Sequence, residues 1–317
     1  MNTVVVVGAS GYIGRHLVAE LTSFANVRIK ILTRSFQEDE AKKNYSNDVE
    51  LIEGDLCDPA SLNTLFEPGC TVIHLAYLGG AGESKNLAAT LNLTNACRAA
   101  NVNRLIHLST AMVSGRAVKS TVSEEDLCFP ITDYAVTKLK VEQMIIAAAQ
   151  GNFQTVILRP TAVFGQNGEN LKKLTNDLLA GRRVRNYLKS CLFGKRRMNL
   201  VHISNVVAAI VFLQKSSDTF DGQVFMVSDA DAALNNFRDV ECILMRELNI
   251  PDYRFPRLQL PLFILSGVLT LMGKDNTNPQ CDYVSQKLAR LGYEKAIEFE
   301  SGLIEYAASY RLPSDSH

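Results

Sequence analysis

Tyr134 and Lys138 stand four residues apart in Tyr134-Ala135-Val136-Thr137-Lys138. On a helix that spacing puts a phenol and an ammonium on one face. A phenol titrates near 10 in water and a neighbouring cation draws it down, so the pair suits general acid–base work at an oxygen. Leu108-Ser109-Thr110 ends an apolar run, and Thr110 or Ser109 offers a hydroxyl to hold that oxygen. Near the start of the chain, Gly8-Ala9-Ser10-Gly11-Tyr12-Ile13-Gly14 follows the apolar run Val4–Val7. Gly8 permits a tight turn out of a strand, Gly11 lets backbone approach a pyrophosphate, and Gly14 allows close helix–strand packing. The helix that starts there presents unpaired N–H groups and a positive dipole end to phosphates. Together the two motifs point to hydride transfer at a carbonyl or alcohol.

The type of dinucleotide is read at the end of the second strand, Ile29-Lys30-Ile31-Leu32-Thr33-Arg34. A carboxylate there accepts from the ribose 2′-OH of NAD. Thr33 takes that place and Arg34 follows, which suits the 2′-phosphate of NADP through charge-assisted bonds. Gly54-Asp55-Leu56 follows the third strand; Asp55 either accepts from the adenine amino group or caps a turn. His74-Leu75-Ala76 ends the fourth and is expected beside the adenosine.

These sites need a frame. Runs at 4–7, 27–32, 49–52, 71–75, 105–109 and 155–158 read as strands apolar on both faces. Helical patterns near 12–24, 59–66, 84–101 and 134–150 alternate with them. The alternation predicts an α/β fold, a Rossmann-type doubly wound parallel sheet over 1–165. Residues 166–317 are expected to form a smaller, mainly helical substrate lobe, with helices near 205–215, 235–248, 260–272, 281–290 and 300–310. Later strands at 201–203 and 224–227 are expected to rejoin the main sheet. The apolar stretch Leu258–Gly273 is short for a bilayer span and holds Pro261 and Gly267, so a buried helix is expected there.

Composition excludes several function classes. Lys+Arg and Asp+Glu both number 33, so net charge offers no case for a nucleic-acid partner. Seven cysteines, odd in number and without a CxxC pair, predict reduced thiols in a cytoplasmic protein and no metal site. The chain enters a strand by residue 3, so no signal peptide is expected.

The set GASGYIG, Arg34, GDL at 54–56, HLA at 74–76, LSTAMVSG at 108–115, YAVTK at 134–138 and LRPTAVFG at 158–165 resembles the extended short-chain dehydrogenase/reductase family. NLVHISNVVAAI at 199–210 and LARLGY at 288–293 extend the resemblance over nearly the whole chain. It implies catalysis by Thr110, Tyr134 and Lys138. Cofactor contacts are implied at Gly8, Gly11, Tyr12, Ile13, Gly14, Arg34, Asp55, Leu56, Leu75, Ala76, Lys138 and Pro160. Substrate contacts are implied at Asn170, Leu171 and the basic stretch from 182 to 197, represented by Arg197. The family's dehydratases carry Asp-Glu after the catalytic threonine, where Ala111 and Met112 stand, so dehydration is not expected. Ala162 replaces a usual Asn. Asn205 replaces a frequent aspartate, as in the branch resembling 3β-hydroxysteroid dehydrogenases. The expected activity is NADP-dependent reduction of a 4-keto nucleotide-diphosphate sugar, as in polysaccharide biosynthesis. The alternatives are a 4-epimerase holding NAD, a hydrophobic-ketone dehydrogenase and a non-catalytic dinucleotide binder. The resemblance also implies a homodimer through the helices near 84–101 and 134–150.

Overall fold

The structure is a computed structural model that describes residues 2–34, 49–115, 119–258, 265–267, 271 and 278–311. Most of the predicted 260–272 helix lies outside the described residues. Among those described, no helix is long and apolar enough to cross a membrane. The chain forms two compact units, one of residues 1–113, 130–159 and 207–225, the other of 114–129, 160–206 and 226–317.

The first unit is built on a seven-stranded parallel sheet, as the apolar runs predict. Its strands are β1 (Asn2–Val7), β2 (Val27–Thr33), β3 (Val49–Glu53), β4 (Thr71–His74), β5 (Arg104–Leu108), β7 (Gln154–Pro160) and β10 (Asp221–Val227). Their order is β10-β7-β5-β4-β1-β2-β3. β1 is central, pairing Val4 with Ile29 on one side and with Thr71 on the other. The sheet order reverses between β1 and β4, where folds of this kind open a crevice at the strand ends. Val4–Val7 are all buried, which is why that run shows no alternation.

Helices α1 (Tyr12–Leu21), α2 (Gly82–Ala99) and α3 (Asp133–Ala149) cover this sheet. α3 starts at Thr132, whose hydroxyl accepts from Ala135 N, and packs along α2. Leu93, Cys97, Val141 and Ile145 meet Leu105 and Ile157 in one buried cluster. Arg159 locks α3 to β7: its Nε and Nη2 donate to the two oxygens of Glu142 at 3.0 and 2.6 Å. Such a buried fork fixes both distance and rotation of the helix. The pattern read as a helix over 59–66 is instead a single 3-10 turn, Pro59–Leu62, with Asp58 accepting from Ala60 N.

The second unit holds two short parallel pairs, β8 (Ala162–Phe164) with β9 (Leu200–His202) and β6 (Thr121–Val122) with β11 (Asp282–Tyr283). Its helices α4 (Lys172–Leu179), α5 (Arg183–Phe193), α7 (Phe237–Glu247), α8 (Gln286–Arg290) and α9 (Phe299–Ala308) include a core of Phe164, Leu171, Leu244, Phe299 and Tyr306. α6 (Ile203–Lys215) runs from this unit into the first. The helix expected over 281–290 is therefore corrected: 282–283 pair as a strand with 121–122, and only 286–290 are helical. β9 falls where 201–203 was read, and it pairs with β8; β10 joins the main sheet.

Candidate active site

The glycine turn has the geometry its residues require. Gly8 has φ +94°, and a Cβ there would meet Ala76 N at 2.6 Å. The turn therefore lies against the end of β4, bringing Gly8 and Ala76 together. A Cβ on Gly14 would collide with Gly8 O, whereas one on Gly11 would meet only Gly8 O, at 3.4 Å. Gly11 is the N-cap of α1 and no side chain caps that end. The first-turn N–H groups thus remain available to an anion. Tyr12 buries its hydroxyl without a hydrogen-bond partner, and burial raises its pKa. Ser109 Oγ, at the end of β5, is likewise buried and unpartnered. An open cradle of N–H groups and two orphaned hydroxyls fit a dinucleotide along this edge of the sheet.

Other predicted cofactor residues follow the same edge. Arg34 is exposed just past β2. Asp55 takes the turn role in part, its Oδ1 accepting from Cys57 N at 2.8 Å. Leu56 is buried and its carbonyl accepts from Asn92. Leu75 N donates to Val7 O, which ties β4 to β1 beside the turn. Pro160 ends β7.

Tyr134 opens α3 and Lys138 lies one turn on, as the spacing predicts. The Tyr134 ring meets Tyr77 edge to face, 4.9 Å between centroids. Burial, and then the Tyr77 phenol, push the Tyr134 pKa up, so the phenol holds its proton at neutral pH. The expectation that Lys138 lowers it is corrected here. Lys138 is buried and its Nζ donates to Leu108 O at 2.6 Å and meets His107 Nε2 at 3.3 Å. Its charge is directed into β5. Burial pulls the ammonium down to about 8, against the opposing pull of Glu142. Thr110 Oγ1 accepts from Met112 N at 3.2 Å, leaving its proton free to donate.

Two residues were missed. His107 lies directly across from His74 on neighbouring strands, with Nδ1 atoms 3.0 Å apart. The repeat of Ile-His-Leu at 73–75 and 106–108 was the available signal. Tyr77, against Tyr134, had none.

In the second unit the predicted substrate residues stand apart from one another in character. Asn170 Nδ2 donates to Val163 O, and Leu171 is fully buried in the core. Arg197 is committed internally. Its Nε pairs with Asp282, while its other nitrogens donate to the carbonyls of Ala230, Ala232 and Ala233. Asp177 faces Lys189, Arg182 and Arg185. Arg183 donates to Pro251 O and Asp252 O. Arg196 differs: burial alone lowers its pKa, and it shows no ion pair among the described residues. Phe237 N donates to Arg196 O, next to Arg238, whose Nε is buried without a partner. Asn205 donates to both oxygens of Asp229 and to Ile297 O, and its own oxygen accepts from Ile297 N. An aspartate here would set two carboxylates against each other, which explains the amide.

Residues 4–228 match the model of the NAD dependent epimerase/dehydratase family. The chain belongs to that family. The human sterol-4-alpha-carboxylate 3-dehydrogenase, decarboxylating, is 25% identical over 276 residues, covering 82% of this chain and 69% of the relative. The 4-hydroxy-2-methyl-3-oxo-4-farnesyl-3,4-dihydroquinoline-1-oxide ketoreductase of Stigmatella aurantiaca is 27% identical, over 73% of this chain and 70% of the relative. Among solved structures, the UDP-glucuronic acid 4-epimerase of Bacillus cereus in complex with NAD superposes with a TM-score of 0.72. It is 18% identical and 98% of each chain is covered, a likeness of fold. The family is described as NAD dependent, the two relatives are a dehydrogenase and a ketoreductase, and a nicotinamide dinucleotide fits the edge described above.

Proposed function

We propose that the chain is an NADP-dependent ketoreductase whose substrate is a 4-keto nucleotide-diphosphate sugar. The observation that carries this reading is Tyr134 and Lys138 on one face of α3, with the Tyr134 phenol protonated at neutral pH. A nicotinamide dinucleotide, when bound, supplies the hydride. Gly8, Gly11, Tyr12, Ile13 and Gly14 hold its pyrophosphate. Asp55, Leu56, Leu75, Ala76 and Pro160 line its path, and Arg34 takes the 2′-phosphate. Tyr134 gives its proton to the carbonyl oxygen as general acid, and Thr110, or Ser109 with its idle hydroxyl, donates to the same oxygen. A phenol loaded with its proton suits reduction better than alcohol oxidation.

Arg196 and Arg238, without carboxylate partners among the described residues, support an anionic substrate in the second unit, and Asn170 lies on the same unit. Guanidinium forks suit diphosphate oxygens. One observation favours a hydrophobic ketone as second reading: four of the five N–H groups of Arg197 are taken within its own unit. A homodimer through α2 and α3 belongs to this proposal, since it would cover the half-exposed Leu91.

The test is NADPH consumption by the full chain with a panel of 4-keto nucleotide sugars. Reduction of one of them, lost in Tyr134→Phe, is the expected result. Interconversion of C4 epimers without NADPH consumption would show an epimerase instead. In the same assay, Arg34→Asp shifts preference from NADPH towards NADH by about tenfold.

A further inference from the structure

Two imidazoles stand behind Lys138. His74 and His107 are register partners on β4 and β5, and both are buried. An ammonium has three donors and no acceptor. Lys138 gives one donor to Leu108 O and a second to His107, so His107 accepts at Nε2 and carries its proton on Nδ1. That N–H then donates to His74 Nδ1, which puts the His74 proton on Nε2. The bonds run one way, from Lys138 to His107 to His74. At this end lies a void of about 10 Å³, bordered by His74, His107, Lys138, Asn86 and Thr90. That volume is on the order of one water.

Charge favours neutral imidazoles. Burial and the Lys138 ammonium push His74 down to about 3 and hold His107 well below its ordinary value. Of the other groups, Glu142 on α3 acts on Lys138 and is itself paired with Arg159 on β7, and Tyr77 after β4 borders the same void. A neutral imidazole accepts at one nitrogen and donates at the other, so a proton entering on one side can leave by the other.

We propose that His107 and His74 are positioning residues that fix Lys138 and carry its proton to and from this void. The proposal rests on the Tyr134 reading: the proton Tyr134 gives up in each reduction is replaced when Lys138 Nζ passes one of its own to the phenolate through an intervening water, and the imidazoles then reload Lys138. Outward, Lys138 gives a proton to His107 Nε2, His107 Nδ1–H passes to His74 Nδ1, and His74 Nε2–H passes to a water. The reverse sequence returns one proton to Lys138. No oxidant or reductant is involved, and each nitrogen that gains a proton is balanced by one that loses it.

The test is a long-range proton–nitrogen spectrum of the full chain labelled with ¹⁵N-histidine, from about pH 6 to about pH 10. His107 is expected as the Nδ1–H tautomer and His74 as Nε2–H. Both should stay neutral and shift with one midpoint near 8, which disappears in Lys138→Met. The Nε2–H tautomer for His107, or an imidazolium in this range, overturns the proposal. His107→Gln then separates carrying from holding, since an amide keeps an acceptor and a donor but cannot relay a proton. It should lower kcat about tenfold, leave KM and NADPH affinity within about twofold, and enlarge the solvent isotope effect. Unchanged kcat in a folded, NADPH-binding variant overturns the relay. If Tyr134→Phe keeps full turnover, the reaction reading fails instead, while the tautomer result stands by itself.

Discussion

Lys138 and Arg197 are both cations drawn out of water, and the fold treats them in opposite ways. Arg197 meets a carboxylate and three carbonyls, so four of its five N–H groups are used within its own unit. Lys138 meets one carbonyl and one neutral imidazole, and burial pulls its pKa down to about 8. The same contrast separates Ser109 and Tyr12, buried hydroxyls without partners, from Asn205, whose amide is fully used. Buried polar groups are normally satisfied. A group left unsatisfied at a sheet edge is thus a better guide to function than its residue type.

The sharpest break between the two kinds is Tyr134→Phe. It should lower kcat by about a hundredfold or more while NADPH binding survives. Turnover near the native rate, measured by steady-state kinetics, would remove Tyr134 from the functional set. Next comes Asn205→Asp, which presses a second carboxylate on Asp229. A loss of about 3 kcal/mol at neutral pH is expected from denaturant unfolding, relieved as pH falls. Arg197→Ala should cost about 2 kcal/mol in the same measurement and leave KM unchanged. A raised KM with unchanged stability would return Arg197 to the substrate.

The last effect is a slope with pH. His74 is held at about 3 in the folded chain against 6.5 as its ordinary value. Between those values the unfolded chain binds the extra proton, so stability is full above the upper value and falls as pH drops towards the lower one. The expected loss is about 1.4 kcal/mol per pH unit across that window. His74→Phe should remove this share of the slope and leave the share that His107 contributes. An unchanged slope would mean that His74 is hydrated.

The sheet was legible because parallel strands covered on both faces are continuous apolar runs, and all six runs before residue 165 became strands. The glycine turn and the Tyr–Lys spacing were legible because their geometry is local. α4 and α5 were missed although Leu174 and Leu178, then Val184 and Leu188, recur at helical spacing. Dense basic residues hid that periodicity. The strand at 282–283 exists only through pairing with 121–122, about 160 residues away in sequence, and nothing local announces it. The direction of Lys138 was likewise hidden, since helix spacing fixes a face and not a partner.

The most direct test of the account is titration of the purified full chain with NADPH and NADH, read by native mass spectrometry, alongside Gly8→Ala. The account predicts one dinucleotide per chain, NADPH held the tighter of the two, and binding lost when a methyl is driven against Ala76. A native chain that binds neither nucleotide, or a Gly8→Ala variant that binds as well as the native chain, would contradict it.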